Sequence, residues 1–141
     1  MYESIHSGSC APCALPFIRS LRFLSLCLML EEIAAHVKRS ASFAFETTLS
    51  GLTYAQMIPA WRANDYWVVL IFLSLPNAEM ALERVAQRVV QGGHNVPEAV
   101  VRRRFAAGMR NLGRYKSLVD QWQLYDNSVA PFKLLEEGAM T

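Results

Sequence analysis

The segment Tyr66–Leu75 (Tyr-Trp-Val-Val-Leu-Ile-Phe-Leu-Ser-Leu) constrains this chain most. It is an almost unbroken apolar run, stopped by Asp65 on one side and by Pro76-Asn77 on the other. Such a run between breakers is short for a helix, and its Val, Ile, Tyr and Phe favour an extended backbone. A strand without polar alternation is the kind buried on both faces of a parallel sheet, with helices covering each side. The rest of the chain is therefore expected to supply those helices and right-handed crossovers to parallel neighbours.

The helices are readable. Leu30–Arg39 carries Leu30, Ile33, Ala34 and Val37 on one face, with Glu31 and Glu32 in the first turn and Lys38 and Arg39 in the last, as the helix dipole prefers. Thr53 and Gln56 form a candidate capping box for a helix with Tyr54, Met57, Ile58 and Trp61 inward; Pro59 should kink or shorten it. Asn77–Gln91 places Leu82, Val85, Ala86 and Val89 inward and is stopped by Gly92-Gly93. Pro97 suits the first turn of another helix with a Val101, Phe105, Gly108 and Leu112 stripe. Ser42–Thr47 and Gln121–Tyr125 read as two further short strands. Helices alternating with strands predict an α/β fold around a parallel sheet. In such sheets ligands sit beyond the strand carboxyl ends, here Glu46-Thr47-Thr48 and Asp126-Asn127-Ser128.

Charge is concentrated. Net charge is only +2, yet Arg84–Lys116 holds eight basic residues against one acidic, Glu98. A cationic segment in a near-neutral chain faces either an anion or solvent. Arg84, Arg88 and Gln91 share a helix face by i, i+4, i+7 spacing, and paired guanidiniums can fork onto phosphate oxygens. The run Arg102-Arg103-Arg104 sweeps about 300° of helix circumference, so at most two of the three can face one ligand. With the glycine-containing loop between them, the two helices suggest a hinged lid over a nucleotide. The alternative is a solvated face bridged to Glu83 or Glu98. Glu46, Thr47, Thr48 and Ser50 suit a sugar or nucleoside by hydrogen bonding, or equally a turn cluster capping the next helix. His94 and Tyr125–Ser128 read as loop and turn.

Cysteine usage adds little. Three cysteines is an odd number for a disulfide framework, and the lone Cys10-x-x-Cys13 has neither the strand a redox motif needs nor a second pair of zinc ligands. The apolar stretch Ala14–Leu30 is broken by Arg19 and Arg22, which leave only Phe23–Leu30 uncharged, far short of the roughly 20 residues that span a bilayer. It lacks the basic start and cleavage site of a signal peptide. A cytoplasmic protein without stable membrane insertion is expected. No G-x-x-x-x-G-K-[ST], nucleophile elbow or metal-ligand cluster occurs, and arginines do not alternate with aromatics as single-stranded nucleic-acid binders require.

Six motifs in series carry a resemblance: Phe43-Ala-Phe-Glu-Thr-Thr-Leu-Ser-Gly51, Phe72-Leu-Ser-Leu-Pro76, Arg84-Val-Ala-Gln-Arg88, Gln91-Gly-Gly-His-Asn-Val-Pro97, Arg102-Arg-Arg-Phe105 and Leu124-Tyr-Asp-Asn-Ser128. In this order and spacing, residues 29–137 resemble the back two-thirds of the zeta toxin-like family of P-loop ATPases. The resemblance implies a three-layer nucleoside-kinase-like core with a helical lid. It implies ATP with Mg2+ as cofactors, phosphoryl transfer to a small substrate such as a UDP-amino sugar, and an antitoxin protein as partner. By motif, Glu46 and Thr48 resemble the family's substrate-binding residues. Arg84 or Arg88, with Arg88 preferred, resembles the arginine before the lid. A second family arginine falls near His94, and Arg102, Arg103 and Arg104 are expected to take over its task. Residues 1–28 resemble nothing in the family. They stand where the Walker A strand, its lysine and the catalytic aspartate belong, so no catalytic or metal residue is assigned. A truncated member, inactive alone, is the expectation. The alternative is a non-catalytic protein holding a nucleotide or nucleic acid on its basic segment.

Overall fold

The computed structural model describes residues 20–140. They belong to two compact units, divided after Ala44. The Cys10-x-x-Cys13 pair and residues 14–19 of the apolar N-terminal segment lie outside the described residues.

In the first unit, α1 spans Ser20–Lys38, starting ten residues before the helix that the Leu30–Arg39 periodicity predicts. Its end is a Schellman motif: the Ser40 N–H donates to the Val37 carbonyl (3.1 Å) and the Ala41 N–H to the His36 carbonyl (3.0 Å), with Ser40 left-handed at φ 52°.

The second unit runs α2 (Thr53–Ala63), β1 (Val69–Ser74), α3 (Ala78–Val90), α4 (Glu98–Lys116), β2 (Gln121–Asp126) and β3 (Lys133–Ala139). Described helices and strands thus make a mixed α/β protein of four helices and one three-stranded sheet, ordered β1-β2-β3. β1 and β2 pair parallel, Val69 with Gln121 through Ser74 with Asp126, and α3 and α4 form the crossover between them. β2 and β3 pair antiparallel, with an irregularity between Leu124 and Tyr125. The sheet is therefore mixed where a wholly parallel one is expected. β3 is unannounced by the sequence, because Lys133-Leu-Leu-Glu-Glu-Gly-Ala has no alternation and takes its strand form from pairing with β2.

Two further expectations are corrected. Ser42–Thr47 forms no strand: β1 has β2 as its neighbour, and Phe45 instead sets its ring 4.6 Å from Tyr54 and 6.1 Å from Trp61. β1 is not buried on both faces either. Leu70, Phe72 and Ser74 are half-buried, but Val69, Ile71 and Leu73 are 47%, 60% and 48% exposed. One face of this strand is apolar and open.

The core of the unit is instead helical. Tyr54, Ala55, Ile58 and Trp61 of α2 and Val101, Leu112 and Tyr115 of α4 are buried, with Leu49 and Val119. α2 continues through Pro59 to Ala63. Its N-cap is Leu52, whose carbonyl accepts from the Gln56 N–H (3.1 Å), so the Thr53–Gln56 capping box is not formed. α3 is capped by Asn77, whose Oδ1 accepts from the Met80 N–H (2.9 Å). Asp120, buried at the head of β2, accepts from the Val68 N–H (2.7 Å) and from Arg62 Nε (2.9 Å). The Asp120 and Gln121 N–H groups return to the Val68 carbonyl, so the starts of β1 and β2 are pinned together. Among the described residues no helix is long and apolar enough to cross a membrane.

Candidate functional site

The structure sorts the cationic segment by what each arginine meets. Arg102 bonds Glu98 one turn back (2.8 Å) and Glu79 on α3 (2.6 Å). The Arg102 hydrogen bond holds the Glu79 carboxyl below its ordinary range, and the two carboxylates in turn raise the guanidinium. Arg102 is thus a strut between α3 and α4. Arg84 donates to the Asn127 carbonyl beyond β2 and is half-buried, tying α3 to the strand's carboxyl end. Arg88 is exposed, and its stem lies against Gly93, where a Cβ would stand 2.6 Å from Arg88 Cγ. The loop after Arg88 is no loose hinge at its start. The Gly92 N–H donates to Val89 (3.0 Å) and the Gly93 N–H to Arg88 (2.8 Å), with Gly92 at φ 85°, a second Schellman motif. Arg84 and Arg102 are thus engaged within the protein, while Arg88 is exposed.

Arg103 and Arg104 lie on another surface of α4. With Arg110, Ala107 and Ser50 they line an open concavity of about 430 Å3. Arg103, Ala107 and Arg110 are spaced i, i+4, i+7 on α4 and present one stripe. The adjacent stripe, Arg104, Gly108, Asn111 and Tyr115, holds the segment 48–51 alongside. At Gly108 a Cβ would come 2.6 Å from the Thr48 carbonyl oxygen, so only glycine permits this approach. Asn111 Nδ2 donates to the Leu49 carbonyl (2.8 Å), and the Tyr115 hydroxyl donates to the Gly51 carbonyl (2.8 Å). Tyr115 also accepts from the Ala55 N–H (3.3 Å), and burial raises its phenol above the ordinary tyrosine value.

Between these anchors Leu49 is buried with a left-handed backbone at φ 50°. A leucine rarely adopts this conformation, at a cost of about 1–3 kcal/mol that its surroundings must offset. Its N–H donates to Thr47 Oγ1 (3.3 Å) while Asn111 takes its carbonyl. The strained turn puts Ser50 on the wall of the concavity, and the Ser50 hydroxyl is 2.9 Å from that of Thr48. Glu46 is exposed and does not line the concavity, and Thr48 reaches it only through Ser50.

Of the candidate binding residues singled out from sequence, the concavity gathers Ser50, Arg103 and Arg104. It adds Arg110. Arg110 has a signal in the sequence, its i+7 spacing from Arg103, which the contiguous arginine run overshadows. Chemically, three guanidiniums and one hydroxyl on one concave surface offer many donors and no carboxylate, a set that fits phosphate oxygens.

No family model matches the chain, and no solved structure matches it. An uncharacterised protein of Haemophilus influenzae is 32% identical over 69 residues, a match that spans 49% of this chain and 49% of that relative.

Proposed function

We propose that the protein binds a phosphorylated small molecule, a nucleotide or nucleotide-sugar, in the Ser50–Arg110 concavity, as a zeta toxin-like domain that does not transfer phosphate alone. The observation that carries this reading is the convergence of Arg103, Arg104 and Arg110 with Ser50 on one surface, while Arg102 beside them is neutralised by two glutamates. Two parallel neighbouring strands joined through two helices support the kinase-like part of the reading, since nucleoside-kinase sheets are built from such units. An antitoxin partner and a cytoplasmic location go with it.

The implied cofactors fit unequally. The phosphates of ATP suit the guanidiniums. Mg2+ does not fit: the concavity offers it no carboxylate, and among the described residues no group of three or more His, Cys, Asp or Glu could hold a metal ion. Arg103, Arg104 and Arg110 bind and orient phosphate, and Ser50 donates a hydrogen bond to it.

Equilibrium dialysis of the purified chain with radiolabelled ATP, alongside an ATP-hydrolysis assay, tests both halves. Salt-sensitive binding without hydrolysis is expected. Hydrolysis of ATP that is lost in Arg103→Ala would overturn the inactivity, and absence of any binding would overturn the site.

A further inference from the structure

We infer that the concavity grips the phosphate chain of its ligand and ignores the base, so that its ligand class is linear polyphosphate anions held without a metal. This rests on the reading above and narrows it.

Selecting a base requires a stacking surface or groups placed against the hydrogen-bonding edge of the base. The concavity has neither: its lining is Ser50, Arg103, Arg104, Ala107 and Arg110, without an aromatic ring, an amide or a carboxylate. Asn111, next to Arg110 on α4, donates its Nδ2 to the Leu49 carbonyl. The tyrosine one turn further, Tyr115, is 2% exposed and has its hydroxyl bonded to Gly51 and Ala55.

The spacing of the arginines sets the length of the anion. Arg103 and Arg110 stand two turns apart, about 10 Å along the helix axis at 1.5 Å per residue. That separation exceeds a single phosphate and suits a chain of two or three phosphoryl groups lying along α4. Ala107, between them on the same stripe, contributes only a methyl group and leaves the floor open. Arg104, about 100° round the helix, reaches the chain from the side of Ser50. Three guanidiniums supply the countercharge that Mg2+ supplies to free nucleotides, so binding does not need the metal.

The experiment is competition against radiolabelled ATP on the full chain, in EDTA, with tripolyphosphate, UTP, adenosine and a single-stranded oligonucleotide as competitors. Tripolyphosphate, ATP and UTP are expected to compete equally, and adenosine not at all. Arg103→Ala and Arg110→Ala should each weaken all three by about tenfold, the size of one charge-assisted hydrogen bond, while Arg102→Ala should not. All these side chains are at least partly exposed, so the variants are expected to fold, and circular dichroism checks this. ATP binding at least tenfold tighter than tripolyphosphate, a requirement for Mg2+, or preference for the oligonucleotide would overturn the inference. The first two would leave phosphate binding itself standing. Failure of ATP and tripolyphosphate alike to bind would overturn both.

Discussion

Tyr115 shows how much of this site depends on one buried polar atom. Its hydroxyl donates to the Gly51 carbonyl and accepts from the Ala55 N–H, closing the end of the 48–51 segment onto the start of α2. In Tyr115→Phe both groups lose their partner, and the unfolding free energy is expected to fall by about 1–3 kcal/mol, measured by denaturant titration. The phenol also leaves a mark on pH dependence. Burial raises its folded-state pKa, so the stabilising effect is full below the unfolded value and is lost as pH rises through the folded one, at about pH 10 and above. Tyr115→Phe should lessen that alkaline loss. At this scale the sequence is least legible. Three consecutive arginines look alike, and which one is neutralised depends on Glu79, 23 positions away, being brought over by α3. Helix geometry allows no more than two of the three to face one surface, and Arg103 and Arg104 are the two that line the concavity.

At the scale of elements, α4 is both wall and clasp. Its Arg103–Arg110 stripe lines the concavity and its Gly108–Tyr115 stripe fastens the strained turn that presents Ser50. Gly108→Ala separates these roles. The added methyl meets a backbone oxygen, which cannot swing aside as a side chain can, so the turn must move away from the helix. A stability loss of about 1–3 kcal/mol is expected despite alanine's better helix propensity, together with weaker phosphate binding. An unchanged melting temperature with unchanged binding would contradict the close approach. Elements with strong periodicity and clear stops are legible: α3 between Asn77 and Gly92, α4 after Pro97, and β2 to within one residue, while β1 occupies only Val69–Ser74 of the longer Tyr66–Leu75 run. Ser42–Thr47 and β3 are not, because strand state depends on finding a partner. The first takes no place in the sheet and sets Phe45 against Tyr54 and Trp61 of α2, while the second acquires its strand partner through the β2 hairpin.

At the largest scale, burial within the second unit is distributed unlike that of a closed three-layer domain. The buried side chains of the second unit gather on α2 and α4, whereas Trp67, Val69, Ile71 and Leu73 are each about half or more exposed. The apolar run was read correctly as a strand, but its uniform hydrophobicity could not reveal that one face stands open. An exposed apolar row at a sheet edge binds hydrophobic dyes and promotes association. Ile71→Thr keeps a β-branched residue at its centre, so dye fluorescence should drop while the unfolding midpoint changes little. Equal dye binding by both forms would show that this face is covered.

The assignment of the phosphate site to α4 rather than to the Arg84–Arg88 face of α3 is tested most directly by NMR of isotope-labelled protein titrated with ATP. The arginine Nε–H signals of Arg103, Arg104 and Arg110 and the amide of Ser50 should shift together, with a common affinity that weakens as salt is raised. The Nε–H of Arg102, held by Glu98, should stay in place. Shifts centred on Arg84 and Arg88, with the α4 signals unmoved, would contradict it.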